Sequence, residues 1–248
     1  MLQKISTHNK LVKYAICIIA VVLLMILIVI SYNHYQYKYS PMNKYGFMCK
    51  VVEGNIVIVN ARKDLTEIVI PAEINGKSVI GIGASAFAGS NSLTSVTLPD
   101  SITYIDDLAF QNCNNLSTIQ ISKNLLHIGL GSFSGCHSLK AISLPNTVTS
   151  ISSLAFNECS NLESIRIPDK VTRINNGTFK GCKKLSYVSI PKNMANIADN
   201  AFENCSALDE LFYRGSSDEW HRSNMFYNMG PLFKVNCADG KFFSKFEQ

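Results

Sequence analysis

One arithmetic regularity constrains this chain more than any other feature. Ile82, Ile105, Ile128, Ile151, Ile174 and Ile197 lie 23 residues apart, as do Phe87, Phe110, Phe133, Phe156, Phe179 and Phe202, and Leu93, Leu116, Leu139, Leu162, Leu185 and Leu208. The register runs six times without an insertion while most polar letters between these positions change. A fixed period of this length means one supersecondary unit stacked on copies of itself, each burying its apolar face against the next. The apolar letters hold because they form one continuous core; the polar letters drift because they face water.

Within a repeat, Leu162-x-x-Ile165-x-Ile167 predicts a short strand, and Pro145, Pro168 and Pro191 close strands, since proline cannot continue a ladder. A second apolar pair, such as Val148 and Ile151 or Val171 and Ile174, predicts another short extended segment. The stretch carrying Ala155, Phe156 and Cys159 is too short and too rich in Gly, Asn and Ser for a long helix. Six rungs at the spacing between strands make a slab ~30 Å long. Before the repeats, two β-rich runs around Glu53-Gly54-Asn55 read as a hairpin, and residues 46–81 as an N-terminal β cap. Residues 82–212 hold six 23-residue repeats, and residues 213–248 a C-terminal cap.

The full pattern is apolar-x-x-Ile, four residues, then Phe-x-x-Cys-x-x-Leu-x-x-Ile-x-Ile-Pro, and it resembles the BspA-like class of leucine-rich repeats. The segments from Tyr213 to Trp220 and from Val235 to Gly240 are similar to that family's closing unit. Departures are small: Ser122 stands for the strand-closing proline, Ser132 and Thr178 for Ala before Phe, and Ser90 for the first Cys. The resemblance implies a leucine-rich-repeat solenoid, with a parallel β-strand ladder and short turns or helical pieces on the convex side. It also implies adhesion to host matrix proteins or to other cells.

Ahead of the repeats, Tyr14 to Ile30 is a run without charge or breaker, preceded by Lys4, Lys10 and Lys13. With its flanks it reaches the ~20 apolar residues that span a bilayer. Positive residues before the run favour a cytoplasmic N-terminus at 1–13, a transmembrane signal-anchor at 14–32, and export of the remainder of the chain. A cleaved signal peptide is the competing reading, but Ser31-Tyr32-Asn33-His34 puts bulky residues where small ones are needed. A buried core helix would rarely be so uniformly apolar. Residues 33–45 form a Tyr-rich stalk whose rings suit the membrane–water boundary, or else a plain linker. The expected location is the cell membrane, single-pass, with the repeat domain extracellular.

The net charge of +5 arises from that topology: five of the 23 Lys and Arg and no acidic residue lie in residues 1–48, leaving 18 basic against 18 acidic. The exported part is neutral, so no nucleic-acid footprint is present. Nothing suggests chemistry either. The five histidines are scattered, and no phosphate loop, G-x-S-x-G elbow or H-E-x-x-H motif occurs. The chain is not expected to be an enzyme, nor to use a small-molecule substrate, cofactor or metal. Cys113, Cys136, Cys159, Cys182 and Cys205 form a ladder, with Ser90 in the same slot of the first repeat. That substitution says the slot wants a small side chain, so reduced core thiols are expected. His137 beside Cys136 is not read as a thiol–imidazole pair, because the cysteine should point inward and its neighbour outward.

What remains is the exposed strand face. With Val96, Ile119, Ile142, Ile165, Val188 and Leu211 pointing in, alternation turns their neighbours outward. Small residues dominate the first rungs: Ser95 and Thr97, Thr118 and Gln120, Ala141 and Ser143. Ser164 and Arg166, Tyr187 and Ser189, and Glu210 and Phe212 occupy the later rungs. The candidate ligand-binding face is Thr118, Gln120, Ser164, Arg166, Tyr187, Ser189, Glu210 and Phe212, because Arg, Tyr and Phe are types enriched where proteins bind proteins. A solvated, β-compatible surface is the plainer reading of any one of them. The expected function is a membrane-anchored adhesion module with a protein partner; the alternative is a structural or self-associating envelope protein without a soluble ligand.

Overall fold

The computed structural model of the chain describes residues 44–222 and 234–243. It divides into two compact units, Met1–Met48 and Cys49–Gln248, and the repeats belong to the second. Segments 1–13 and 14–32 and most of 33–45 lie outside the described residues. Among those described, no helix is long and apolar enough to cross a membrane.

The repeats wind as a parallel β-solenoid with three sides. The A side carries β3 (Glu67–Val69), β6 (Ser95–Thr97), β8 (Thr118–Gln120), β11 (Ser164–Arg166), β13 (Tyr187–Ile190) and β15 (Glu210–Tyr213). It is closed by β16 (Lys234–Cys237) and the antiparallel β17 (Phe242–Phe243). The B side carries β2 (Asn55–Ala61), β5 (Lys77–Ile82), β7 (Tyr104–Ile105), β9 (His127–Ile128), β10 (Ser150–Ile151), β12 (Arg173–Ile174) and β14 (Asn196–Ile197). Register matches the sequence period: Ser95 faces Thr118, and Ile105 faces Ile128. The expected second extended segment of each repeat is therefore the B strand.

The N-terminal hairpin forms where the sequence places it. β1 (Phe47–Val52) precedes β2 through Glu53 and Gly54, with φ of 49° and 80°. A second tight turn joins β4 (Glu73–Ile74) to β5 through Asn75 and Gly76, at φ 52° and 71°. Two consecutive left-handed residues are what a two-residue hairpin requires, because that turn matches the twist of its strands.

The third side is a spine of turns. Phe87 to Phe202 stack with centroids 5.0–5.5 Å apart and planes within 8°. The amide of each phenylalanine from Phe87 to Phe179 donates to the next coil, as Phe110 to Ser132 at 2.7 Å and Phe133 to Ala155 at 2.8 Å. The cysteines are buried, as expected, but the slot does have a partner. Each thiol donates to the carbonyl of the phenylalanine one coil back, from Cys113 to Phe87 at 3.1 Å through Cys205 to Phe179 at 3.0 Å. Ser90 stands where no such phenylalanine precedes it, and Lys63 Nζ approaches its hydroxyl at 3.5 Å. Burial pushes the Cys113 thiol up to about 11 and Cys205 to about 12, and holds Cys136 and Cys159 well above the usual range.

Two slots in the spine adopt positive φ, and their occupants alternate between coils. One reads Ser85, Leu108, Gly131, Leu154, Gly177, alternating from Leu108 onward; the other reads Gly89, Asn112, Gly135, Glu158, Gly181, Asn204. A side chain at one coil fills the space a Cβ would need at the next: a Cβ on Gly131 would come within 3.0 Å of Leu108 Cδ2, and Asn112 covers Gly135. Where a side chain fills that space, the left-handed position of the next coil holds glycine, which has no Cβ to place there.

The spine is continuous, whereas the strand sides are not. On the A side β8 pairs only with β6, and Ala141 is joined to Ser164 by an isolated bridge. On the B side β10 does not pair with β12. There the Asn175 side-chain amide donates to the Ile151 carbonyl at 2.7 Å, where the preceding coils use a backbone amide, as Ser152 to Ile128 at 2.9 Å.

Candidate protein-binding face

Alternation on the A side holds where sequence placed it. Val96, Ile165, Val188 and Leu211 are buried, with Ile119 and Ile142 at 7% and 6% exposure. Thr118, Gln120, Ala141, Ser143, Ser164, Arg166, Tyr187 and Glu210 are exposed; Ser95, Thr97 and Phe212 are half-buried. Ser189 is the correction: expected to face solvent, it is 4% exposed. It lies in register with Arg166 on one side and Phe212 on the other, and Arg214 folds back onto it, donating to its hydroxyl at 3.0 Å and its carbonyl at 3.1 Å. Strict alternation predicts direction, not what a long neighbour lays across a small residue.

These residues do not form one sheet. Thr118 and Gln120 belong to the three-stranded group, while Ser164, Arg166, Tyr187, Glu210 and Phe212 belong to the five-stranded one. Chemistry is concentrated in the second group. Tyr187, 48% exposed, stacks on Phe212 with centroids 6.4 Å apart and an interplanar angle of 22°. Arg166 flanks the pair and meets Asp169 at 3.5 Å. Asp169 also holds Arg214 at 2.5 Å, and Arg214 donates to the Ile167 carbonyl at 2.7 Å. Partial burial pulls the Arg214 guanidinium down, opposed by the bond from Asp169. The result is an aromatic platform with a half-exposed cation beside it, held on a rigid ladder.

Arg214, Asp169 and Lys234 escaped the sequence reading. Arg214 sits just past a strand, and Lys234 reaches this face only because β16 pairs with β15, placing it opposite Glu210. The available signal was the closing segment from Tyr213 to Trp220. There Ser216 and Glu219 cap α1 (Ser217–Arg222) reciprocally: the Ser216 amide donates to the Glu219 carboxylate at 2.8 Å, and the Glu219 amide to the Ser216 hydroxyl at 3.3 Å. Ser217 then donates to Asp239 at 2.7 Å, tying the helix to the turn after β16.

The rest of the surface holds no reacting constellation among the described residues. His137 Nδ1 lies 2.9 Å from the Glu158 carbonyl, and Cys136 is turned to the Phe110 carbonyl. On the B side His127 Nδ1 lies 2.8 Å from the Ser150 hydroxyl, an exposed pair of neighbouring strands. Among the described residues no group of His, Cys, Asp or Glu is placed to hold a metal ion.

Comparison with known proteins agrees with this geometry. The family model described as BspA type leucine rich repeat region matches six copies, over residues 60–185 and 151–242. A crystallised leucine-rich-repeat protein of T. pallidum is 32% identical over 68% of this chain and 79% of its own, with a TM-score of 0.66. A leucine-rich-repeat protein from Bacteroides ovatus is 26% identical over 69% of this chain and 55% of its own, with a TM-score of 0.56. No curated protein matches the chain. On the family model and the identity to the T. pallidum protein together, the chain belongs to the BspA-type leucine-rich-repeat family.

Proposed function

We propose that the chain is a membrane-anchored cell-surface protein whose repeat domain binds host matrix proteins or the surface proteins of other cells. Leucine-rich-repeat proteins generally mediate protein–protein interactions. The observation that carries the reading here is the stack of exposed Tyr187 on half-buried Phe212 beside Arg166, on a strand face otherwise built from polar residues and Ala141. Aromatic and arginine side chains dominate binding energy at protein interfaces. A hydrogen-bonded ladder presents them already ordered, so association loses little backbone entropy. The anchor rests on the apolar run at 14–32 and the lysines before it.

Immobilised protein tested against matrix proteins, whole cells and glycans identifies the partner class. Arg166→Ala and Tyr187→Ala are each expected to weaken capture by about tenfold or more, the effect of losing an interface anchor, with an unchanged melting curve. Wild-type capture by both variants overturns this face. Self-association without capture of any of the three overturns the adhesion reading in favour of an envelope role.

A further inference from the structure

The two gaps in the strand ladders flank one coil, and they lie on different sides of it. Residues 139–161 lack the A-side ladder to the coil before and the B-side backbone ladder to the coil after. The spine crosses both boundaries intact, with Phe133 donating to Ala155 at 2.8 Å and Phe156 to Thr178 at 2.9 Å.

A local difference is visible at the A-side gap. At the residue entering three of the strands, a hydroxyl clips onto the carbonyl one coil back: Thr94 to Thr66 at 3.0 Å, Ser117 to Thr94 at 3.2 Å and Ser186 to Glu163 at 3.3 Å. The amides of the same residues bond to the same carbonyls, at 2.7, 3.0 and 3.0 Å. Lys140 occupies this slot at the gap and makes neither bond, whereas Glu163, also without a hydroxyl, keeps the amide bond to Lys140 at 3.0 Å; no backbone bond joins residues 140–144 to 117–121 among the described residues. The next apolar slot registers the opening. Leu98, Ile167 and Ile190 are at most 3% exposed, whereas Ile121 and Leu144 are only half-buried.

We infer that residues 139–161 form an articulation, pivoting on the phenylalanine–cysteine spine, that lets the two halves of the A face change angle. Opening the gap there breaks no ladder bond, so the A side is held by apolar packing alone, from the buried Leu116, Ile119, Leu139 and Ile142 to the half-buried Ile121 and Leu144. Segments with few buried contacts and solvated backbone groups open at the low end of the stability range. The Thr118–Gln120 half and the Arg166–Tyr187–Phe212 half are then two rigid surfaces on one joint. The joint exists in the free protein and stands whether or not the face binds a partner.

The test uses the full-length chain with Cys17→Ser and Cys49→Ser, leaving only buried thiols among the described residues, and spin labels at Glu67→Cys and Glu210→Cys. These exposed residues are six strand spacings apart, about 29 Å. The expected distance distribution is broad and narrows when Lys140→Thr restores the clip. Amide exchange at residues 140–144 is expected to be ~100-fold faster than in β13, and slower in Lys140→Thr. A distribution unchanged by Lys140→Thr, or protection of residues 140–144 equal to that of β13, overturns the articulation.

Discussion

The spine and the strand sides are cut from the same repeats, yet they are held differently. Along the spine ring stacks on ring, the thiols from Cys113 to Cys205 each meet a carbonyl, amides from Phe87 to Phe179 bond to the next coil, and Phe87 to Phe179 are fully buried. On the strand sides each coil contributes two to four paired residues with only alternate side chains inward, and both ladders are interrupted. A solenoid is stabilised by interfaces between neighbouring units, so the side with unbroken interfaces carries cooperativity. The side with gaps is left free to present variable chemistry.

The sharpest way to break that contrast is truncation. Phe133→Ala, in the middle of the stack, is expected to destabilise by about 3–5 kcal/mol, while Ile142→Ala, beside the open ladder, loses about 2 kcal/mol. Chemical denaturation of both measures the difference. Equal losses would show that the strand sides bear as much as the spine.

Alkaline pH probes the buried thiols, five of which line the spine. The ladder thiols titrate higher folded than unfolded, so they stay protonated in the fold while the unfolded chain releases protons. Their contribution is fully present below the unfolded value of about 9 and is lost as pH rises towards the folded ones, at about 1.4 kcal/mol per pH unit for each thiol. Melts between pH 8 and 10.5 should show falling stability, with a shallower slope in Cys159→Ala. An identical slope in that variant would mean the thiols do not couple to folding.

The smallest expected effect tests a flaw in the spine. Ser132 Oγ is buried without a hydrogen-bond partner, whereas Thr178, in the same slot, donates to Asn175 at 2.8 Å. Ser132→Ala removes an unsatisfied group and should be neutral or stabilising by up to about 1 kcal/mol in thermal melts. Thr178→Ala should be mildly destabilising.

Much of this contrast was legible in the letters. The phenylalanine, leucine and isoleucine registers named the core because the same contact repeats in every coil, and repetition of a contact forces repetition of a residue. The alternation of glycine with Asn112, Glu158 or Leu108 is also written there as a 46-residue superperiod, but it acquires meaning only with the left-handed backbone. The cysteine slot was recognised by size, while its carbonyl partner stayed hidden, since backbone atoms leave no letter. Of the candidate face, Arg166, Tyr187 and Glu210 lie exposed as alternation implies. Ser189 does not, because Arg214 comes from beyond the strand to cover it.

Sequence alone determined the period, the inward residues and therefore the stacked architecture, since those arise from near-neighbour packing repeated at one spacing. Tertiary structure alone decided where the ladders part, which long side chains fold back, and which aromatic rings meet across strands. Those outcomes depend on small differences between competing hydrogen bonds and rotamers in adjacent coils, and residues 23 positions apart in the chain settle them only once they are brought side by side.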